Sequence, residues 1–130
     1  MQCLIVTPEA TLRDKPADFV VLTLEDGELG IAPGRAPLIG RLGFGEARVT
    51  LGGKVERYYV EGGFVEVAHD VVSVLTPRAA PAATLDRLAS EEDLEAAQQK
   101  PARDREQMAV RDRAVAQARA KLRVARRAES

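Results

Sequence analysis

The chain of 130 residues has one cysteine, one histidine, no tryptophan, three phenylalanines and two tyrosines. A lone Cys3 cannot close an internal disulfide. With one thiol and one imidazole, the Cys/His clusters that hold zinc cannot be assembled. Any Ser-His-Asp arrangement would have to be built on His69, which sits in a turn with nothing nearby in the sequence to complete it. A solvated turn residue is the expectation for His69, and a small buried apolar side chain in a strand for Cys3. Long hydrophobic runs are missing too, since none approaches the ~20 residues that span a bilayer. The opening MQCLIVTPEA lacks the basic start and long apolar stretch of a secretory signal, so a cytoplasmic location is expected.

What the chain does have is an uneven charge. Its net charge is −1, but residues 1–83 carry eight Lys/Arg against eleven Asp/Glu, and residues 84–101 two against five. Residues 102–130 reverse this, with nine basic groups against four acidic ones. Asymmetry on this scale marks a binding segment rather than a folding requirement.

Up to about residue 76 the chain reads as short strands separated by turns. Gln2–Thr7 is an apolar run stopped by Pro8. Phe19–Leu24 is apolar on both faces, as a strand buried within a sandwich would be. Ala47, Val49 and Leu51 alternate with Glu46, Arg48 and Thr50, the pattern of a half-exposed strand. Gly52-Gly53 turns the chain into Val55–Glu61. A two-residue loop there would set Arg48 against Arg57, a like-charge pair, so a loop one residue longer is expected. Phe64–Ala68 and Val71–Leu75 flank His69-Asp70, and a two-residue turn pairs Val67 with Val72 and Val65 with Val74. Gly62-Gly63 suggests a bend or bulge at a sheet corner. The spacing predicts a β-sandwich or flattened barrel over residues 1–83, large enough to fold without disulfides.

The composition then changes. Pro77 and Pro81 bracket an Ala-rich linker, and Thr84 or Ser90 is the expected cap of a first helix ending near Lys100, before Pro101. Pro101 suits the first position of a second helix, which runs from Ala102 to about Arg127 and would be roughly 40 Å long. Its narrow stripe of Met108, Val115 and Leu122, with Ala118 and Ala125 between, predicts the seam of an antiparallel hairpin over residues 84–130. So thin a seam contributes only a few kcal/mol at ~25 cal/mol per Å².

No residue pattern predicts a catalytic site, a bound cofactor or a metal. Gly40-Arg41-Leu42-Gly43-Phe44-Gly45 superficially suggests a phosphate loop. It lacks the G-x-x-x-x-G-K-[ST] pattern and a following helix, so turns are expected there. Nucleic-acid binding finds no support in a tail without aromatics on a chain without net positive charge.

The most informative stretch is Gly27-Glu28-Leu29-Gly30-Ile31-Ala32-Pro33-Gly34-Arg35-Ala36-Pro37-Leu38, a strand end running into a loop stiffened by two prolines. It resembles the G-E-L-G-I-x-P-G-H-A-P-L signature of the epsilon subunit of bacterial and chloroplast F-type ATP synthases. Gly43–Val49, Val60–Val67, Val71–Leu75 and Leu122-Arg123-Val124 are similar to later segments of that family, in order and with similar spacing. The resemblance implies a ten-stranded β-sandwich followed by the helical hairpin. The protein would be a non-catalytic central-stalk rotor subunit of a proton-translocating ATP synthase (sodium being the alternative ion), peripheral to the cytoplasmic face of the bacterial plasma membrane rather than its plastid thylakoid equivalent. Its partners would be the gamma subunit, the c-subunit ring and, transiently, the alpha and beta subunits that carry catalysis.

For individual residues, the resemblance implies a c-ring and gamma contact at Glu28, Gly30, Pro33, Gly34, Arg35, Pro37 and Leu38, with Arg35 standing where the signature has His. It also implies an inhibitory contact with the beta subunit by Arg111, Arg113, Arg119, Lys121, Arg123, Arg126 and Arg127. The family's [IL]-D-x-x-R-A ATP motif is only begun by Leu85-Asp86-Arg87-Leu88, with Ala89 and Ser90 in place of Arg and Ala, so weak or no ATP binding is expected. The competing expectation, from the residues alone, is a free-standing β-sandwich binding module with a basic helical tail for an acidic protein or RNA.

Overall fold

A computed structural model describes residues 1–129; Ser130, the last residue of the expected helical segment, lies outside the described residues. Nine strands precede two helices: β1 (Gln2–Val6), β2 (Thr11–Pro16), β3 (Phe19–Leu24), β4 (Gly27–Ile31), β5 (Leu38–Leu51), β6 (Lys54–Glu61), β7 (Phe64–Ala68), β8 (Val71–Leu75), β9 (Ala79–Pro81), α1 (Arg87–Gln98) and α2 (Arg105–Glu129). The chain divides into two compact units, Met1–Pro81 and Ala82–Ser130.

The first unit is the expected flattened sandwich, its nine strands close to the ten implied, built around one long strand. Leu38–Arg41 of β5 pairs with β7 in a layer ordered β2-β1-β8-β7-β5. Beyond Leu42 the same strand pairs with β3 and β6 in the other layer, where β4 and β9 are the outer strands. Between them lies the core, including Cys3, Ile5, Val20, Leu22, Ile31, Val65, Val72 and Val74. All pairings are antiparallel except that of β1 with β8.

The Gly40–Gly45 stretch is strand, not turn. Its glycines serve close approach: a Cβ on Gly45 would lie 2.7 Å from Thr23 Oγ1, and one on Gly43 3.1 Å from the Leu24 carbonyl oxygen. Here β5 changes layers, and β3 passes too near for side chains. Gly62-Gly63 does make the corner, with positive φ at both residues; a Cβ on Gly63 would collide with the backbone of Leu75. Phe19–Leu24 is buried on one face only, at Val20 and Leu22, because each layer of the sandwich turns a single face to the core. Ala79–Pro81 is not linker but strand, paired with Tyr58–Val60.

The 65–74 hairpin has the expected register, Val65 opposite Val74 and Val67 opposite Val72, with His69 and Asp70 both at positive φ in a two-residue turn. The β5–β6 hairpin does not follow expectation. Gly52 and Gly53, at φ 59° and 78°, form a two-residue turn that sets Arg48 directly opposite Arg57. The like charges are bridged by Glu46, whose side chain is only 4% exposed; its Oε1 accepts from Arg57 Nη1 at 2.9 Å and Arg48 Nη1 at 3.1 Å. Glu46 is therefore not the half-exposed residue that alternation predicts.

In the second unit α1 is capped by Asp86, not Thr84 or Ser90: its carboxylate accepts from the Leu88 and Ala89 amides, and Ser90 is buried with its hydroxyl donating to the Asp86 carbonyl. α2 begins at Arg105 rather than at Pro101 or Ala102. Asp104 Oδ1 accepts from the Gln107 amide while Gln107 Oε1 accepts from the Arg103 amide, a reciprocal cap that fixes the start. The 25 residues of α2 are about 37 Å long. The helices pack on each other, joined by an ion pair from Arg126 to Glu91 at 3.7 Å. Burial in α2 is concentrated at Ala118, Ala120, Leu122, Val124 and Ala125. Met108 is half exposed and does not belong to the seam.

Candidate functional site

Glu28 to Leu38 runs from the second residue of β4 through a loop to the first residue of β5. Strand β4 is an edge, paired only through β3, and ends on the fully buried Ile31. All six loop residues, Ala32–Pro37, are exposed. The proline at 33, glycine at 34 (φ +83°) and proline at 37 narrow the backbone states open to the loop. A local turn bond runs from the Arg35 amide to the Ala32 carbonyl at 3.3 Å. A distant one runs from the Gly34 amide to Asp70 Oδ1 at 3.0 Å.

The seven residues singled out in this stretch are spread along β4 and the loop, with Glu28 near the start of the strand and Gly34 held at the other end by Asp70. Glu28 is 59% exposed at its side chain and pairs with Arg48 at 3.4 Å. Gly30 is covered by the Phe19 ring, 2.8 Å from where a Cβ would be. Pro33, Gly34, Arg35 and Pro37 are exposed, and Leu38 is partly buried against the core. Just beyond, Ile39 is 76% exposed. A shallow groove of about 400 Å³ is bounded by Pro37, Leu38 and Ile39 on one side and Glu66, Val67 and Ala68 on the other. On the same layer Phe64 and Leu75 are each about half exposed, with the Arg41 guanidinium 5.6 Å from the Phe64 ring centre. An exposed apolar surface beside a stiff polar loop suits contact with another macromolecule.

Three contributors, Asp70, Glu46 and Arg48, are not singled out by the sequence. Asp70 looks like an ordinary turn residue, yet it reaches across 36 positions to the loop. Glu46 and Arg48 extend a charge chain from Arg57 to Glu28 across the strands. Only the positive φ implied at a two-residue turn hints at Asp70's special position.

The basic residues of α2 do not form one surface. Arg113, Arg119, Arg123, Arg126 and Arg127 are exposed, whereas Arg111 and Lys121 are half-buried. At 3.6 residues per turn, Arg119, Arg123, Arg126 and Arg127 fall within about 100° of helix circumference, with Arg111, Arg113 and Lys121 outside that arc.

Titration behaviour is perturbed elsewhere in the sandwich. Burial pushes the Cys3 thiol up to about 11. Glu56 is held below the usual carboxylate range by the Tyr58 hydroxyl, which donates to it at 2.7 Å, and by Arg13, whose buried guanidinium pairs with it at 2.7 Å. Burial raises Tyr58 and Tyr59, helped by Glu56 and Glu61 respectively. Of these, Arg13 and Glu56 tie β2 to β6, and none lies in the loop. Among the described residues no cluster of three His, Cys, Asp or Glu is placed to hold a metal, and no helix is long and apolar enough to cross a membrane.

Residues 1–82 match the family described as ATP synthase, Delta/Epsilon chain, beta-sandwich domain. An ATP synthase epsilon chain of Rhodopirellula baltica is 48% identical over 126 residues, covering 97% of this chain and 98% of that protein. The one of Symbiobacterium thermophilum is 40% identical over 119 residues, covering 91% and 84%. Among solved structures, a chain of the Euglena gracilis mitochondrial ATP synthase (OSCP/F1/c-ring, rotational state 1) superposes with a TM-score of 0.76 at 25% identity, covering 98% of this chain and 78% of that one. A chain of the Tetrahymena thermophila mitochondrial ATP synthase central stalk and c-ring shares the fold, with a TM-score of 0.73, 13% identity and 96% coverage of both chains. With its sandwich matched throughout and nearly its whole length aligned to epsilon chains, this chain belongs to the delta/epsilon chain family of ATP synthases.

Proposed function

We propose that this chain, a central-stalk rotor subunit of an ATP synthase, docks through the Glu28–Leu38 segment on a c-type ring and a gamma-type subunit. It couples the turning of a proton-translocating ring to the catalytic head. The observation that carries this reading is the loop itself: six consecutive exposed residues, stiffened by proline and tied to the sheet, on a sandwich matched throughout to the family. Glu28 and Arg35 supply opposite charges for polar contacts; Pro33, Gly34, Pro37 and Leu38 shape the surface, and Gly30 lets Phe19 pack over the strand. Catalysis then resides in alpha and beta subunits, and the chain sits peripherally on the cytoplasmic face of the bacterial membrane without entering it. Co-purification tests this: a stable complex with a gamma-type subunit and ring supports it, and a lone monomer that binds polyanions refutes it.

The helical unit acts as a brake in the same reading. Arg113, Arg119, Arg123, Arg126 and Arg127 meet an acidic segment of a beta-type subunit, with Arg111 and Lys121 joining only after the helices rearrange. Exposed pairs contribute about 0–1 kcal/mol each and are screened by salt, so several must act together. Removing residues 84–130 should raise ATP hydrolysis by the reconstituted head while leaving assembly intact. Unchanged hydrolysis under all conditions would make the arm a structural clip. ATP binding by the arm is weak or absent, because position 89 is Ala where a phosphate partner would be needed.

A further inference from the structure

We propose that Asp70 is a positioning residue for the docking loop: its carboxylate holds the Ala32–Pro37 backbone in the shape that meets the ring. This rests on the docking role proposed above. Loop residues 32–37 are exposed throughout, so packing does little to fix them. The Arg35-to-Ala32 bond is local and closes only a turn. The bond from the Gly34 amide to Asp70 Oδ1, at 3.0 Å, fastens the loop to a different part of the chain. It grips the centre of the signature, between Pro33 and Arg35.

The post is itself rigid. Asp70 closes the β7–β8 turn at φ 60°, and its carbonyl accepts from the Gln2 amide at 3.0 Å, which ties it to β1. The hairpin beneath is anchored by Val65, Val67, Val72 and Val74, all 2% exposed or less. That hairpin also pairs with the far end of the loop, through Leu38 opposite Val67. Loop and turn thus form one braced unit, and a charged acceptor on a backbone amide is the stronger kind of hydrogen bond. A segment ordered before docking loses less conformational freedom on docking, so removing the brace weakens assembly even though Asp70 need not touch the partner.

The test uses Asp70→Gly, which suits the positive φ and keeps the turn, and Asp70→Asn, which also tolerates that conformation and retains an acceptor oxygen. Both full-length variants are compared with the native chain for hydrogen exchange at the Gly34 amide and for binding to an ATP synthase stripped of this chain. Loss of one such bond corresponds to about a tenfold effect. Asp70→Gly should therefore speed Gly34 exchange and weaken binding by about that factor, with Asp70→Asn, a neutral acceptor, restoring part of both. Unchanged exchange in Asp70→Gly, or faster exchange with native binding, overturns the proposal. Glu28→Gln and Arg35→Ala separate the two claims. If they weaken binding and Asp70→Gly does not, only the positioning role fails; if all three bind natively, the docking role fails with it.

Discussion

Replacing Glu46 exposes the charge conflict that the fold conceals. Arg48 and Arg57 are direct cross-strand partners, and the Glu46 carboxylate lies 3.1 and 2.9 Å from their guanidinium nitrogens. At an effective dielectric of about 20, a charge pair at ~4 Å is worth ~4 kcal/mol before desolvation is subtracted. Removing one member of a buried ion pair costs about 3–5 kcal/mol in general. The arginine side chains are 26% and 38% exposed and can turn toward water, which lowers the expectation for Glu46→Ala to about 2–3 kcal/mol. The signature of the mechanism is in the coupling. In the native chain Arg57→Thr removes a partner of Glu46 and destabilises slightly; in the Glu46→Ala background it removes a repulsion and stabilises. The double-mutant cycle should therefore give a coupling of at least ~1 kcal/mol. Both tyrosines lie in β6 and the chain has no tryptophan, so tyrosine emission during urea unfolding reports on the sandwich. A Glu46→Ala cost under ~0.5 kcal/mol, or additive effects, would refute the reasoning.

Two further expectations concern the interior and the arm. Because the folded state raises the Cys3 thiol from 9.0 to about 11, its contribution is complete below pH 9 and is lost as pH rises toward 11. At pH 10 the loss is about 1.4 kcal/mol, so native protein should lose that much more stability than Cys3→Ala between pH 8 and 10 in urea titrations; parallel curves would contradict it. In α2, Leu122 is 5% exposed and Met108 50%. Leu122→Ala should cost about 2 kcal/mol of helical stability and Met108→Ala under ~0.5, read from thermal loss of helical circular dichroism; equal effects would restore Met108 to the seam.

Much of the architecture is legible in the sequence where two local signals agree. The 65–74 hairpin is one such place, since strict alternation and a two-residue gap allow a single register. Differences arise where a third group decides. The like-charge rule disfavours Arg48 opposite Arg57, but Glu46, two residues from Arg48 on the same face, turns the repulsion into a bridged triad. Glycines at 40, 43 and 45 suggest turns locally, whereas those at 43 and 45 serve close contact with β3 and that at 40 lies against Val65 of β7. The heptad stripe of α2 names Met108, but packing is confined to the later turns of that helix. The docking segment is legible as a rigid exposed loop from its prolines, while its brace at Asp70 depends on a fold that brings residues 34 and 70 together.

Docking through the Glu28–Leu38 loop is tested by ATP-driven ion pumping in membranes whose ATP synthase has been stripped of this chain and reconstituted. Native chain should restore pumping, while a chain carrying both Glu28→Ala and Arg35→Ala should restore it at least fivefold less well at equal concentration, with its fold intact by circular dichroism. Equal restoration by the double variant would contradict docking through the Glu28–Leu38 loop.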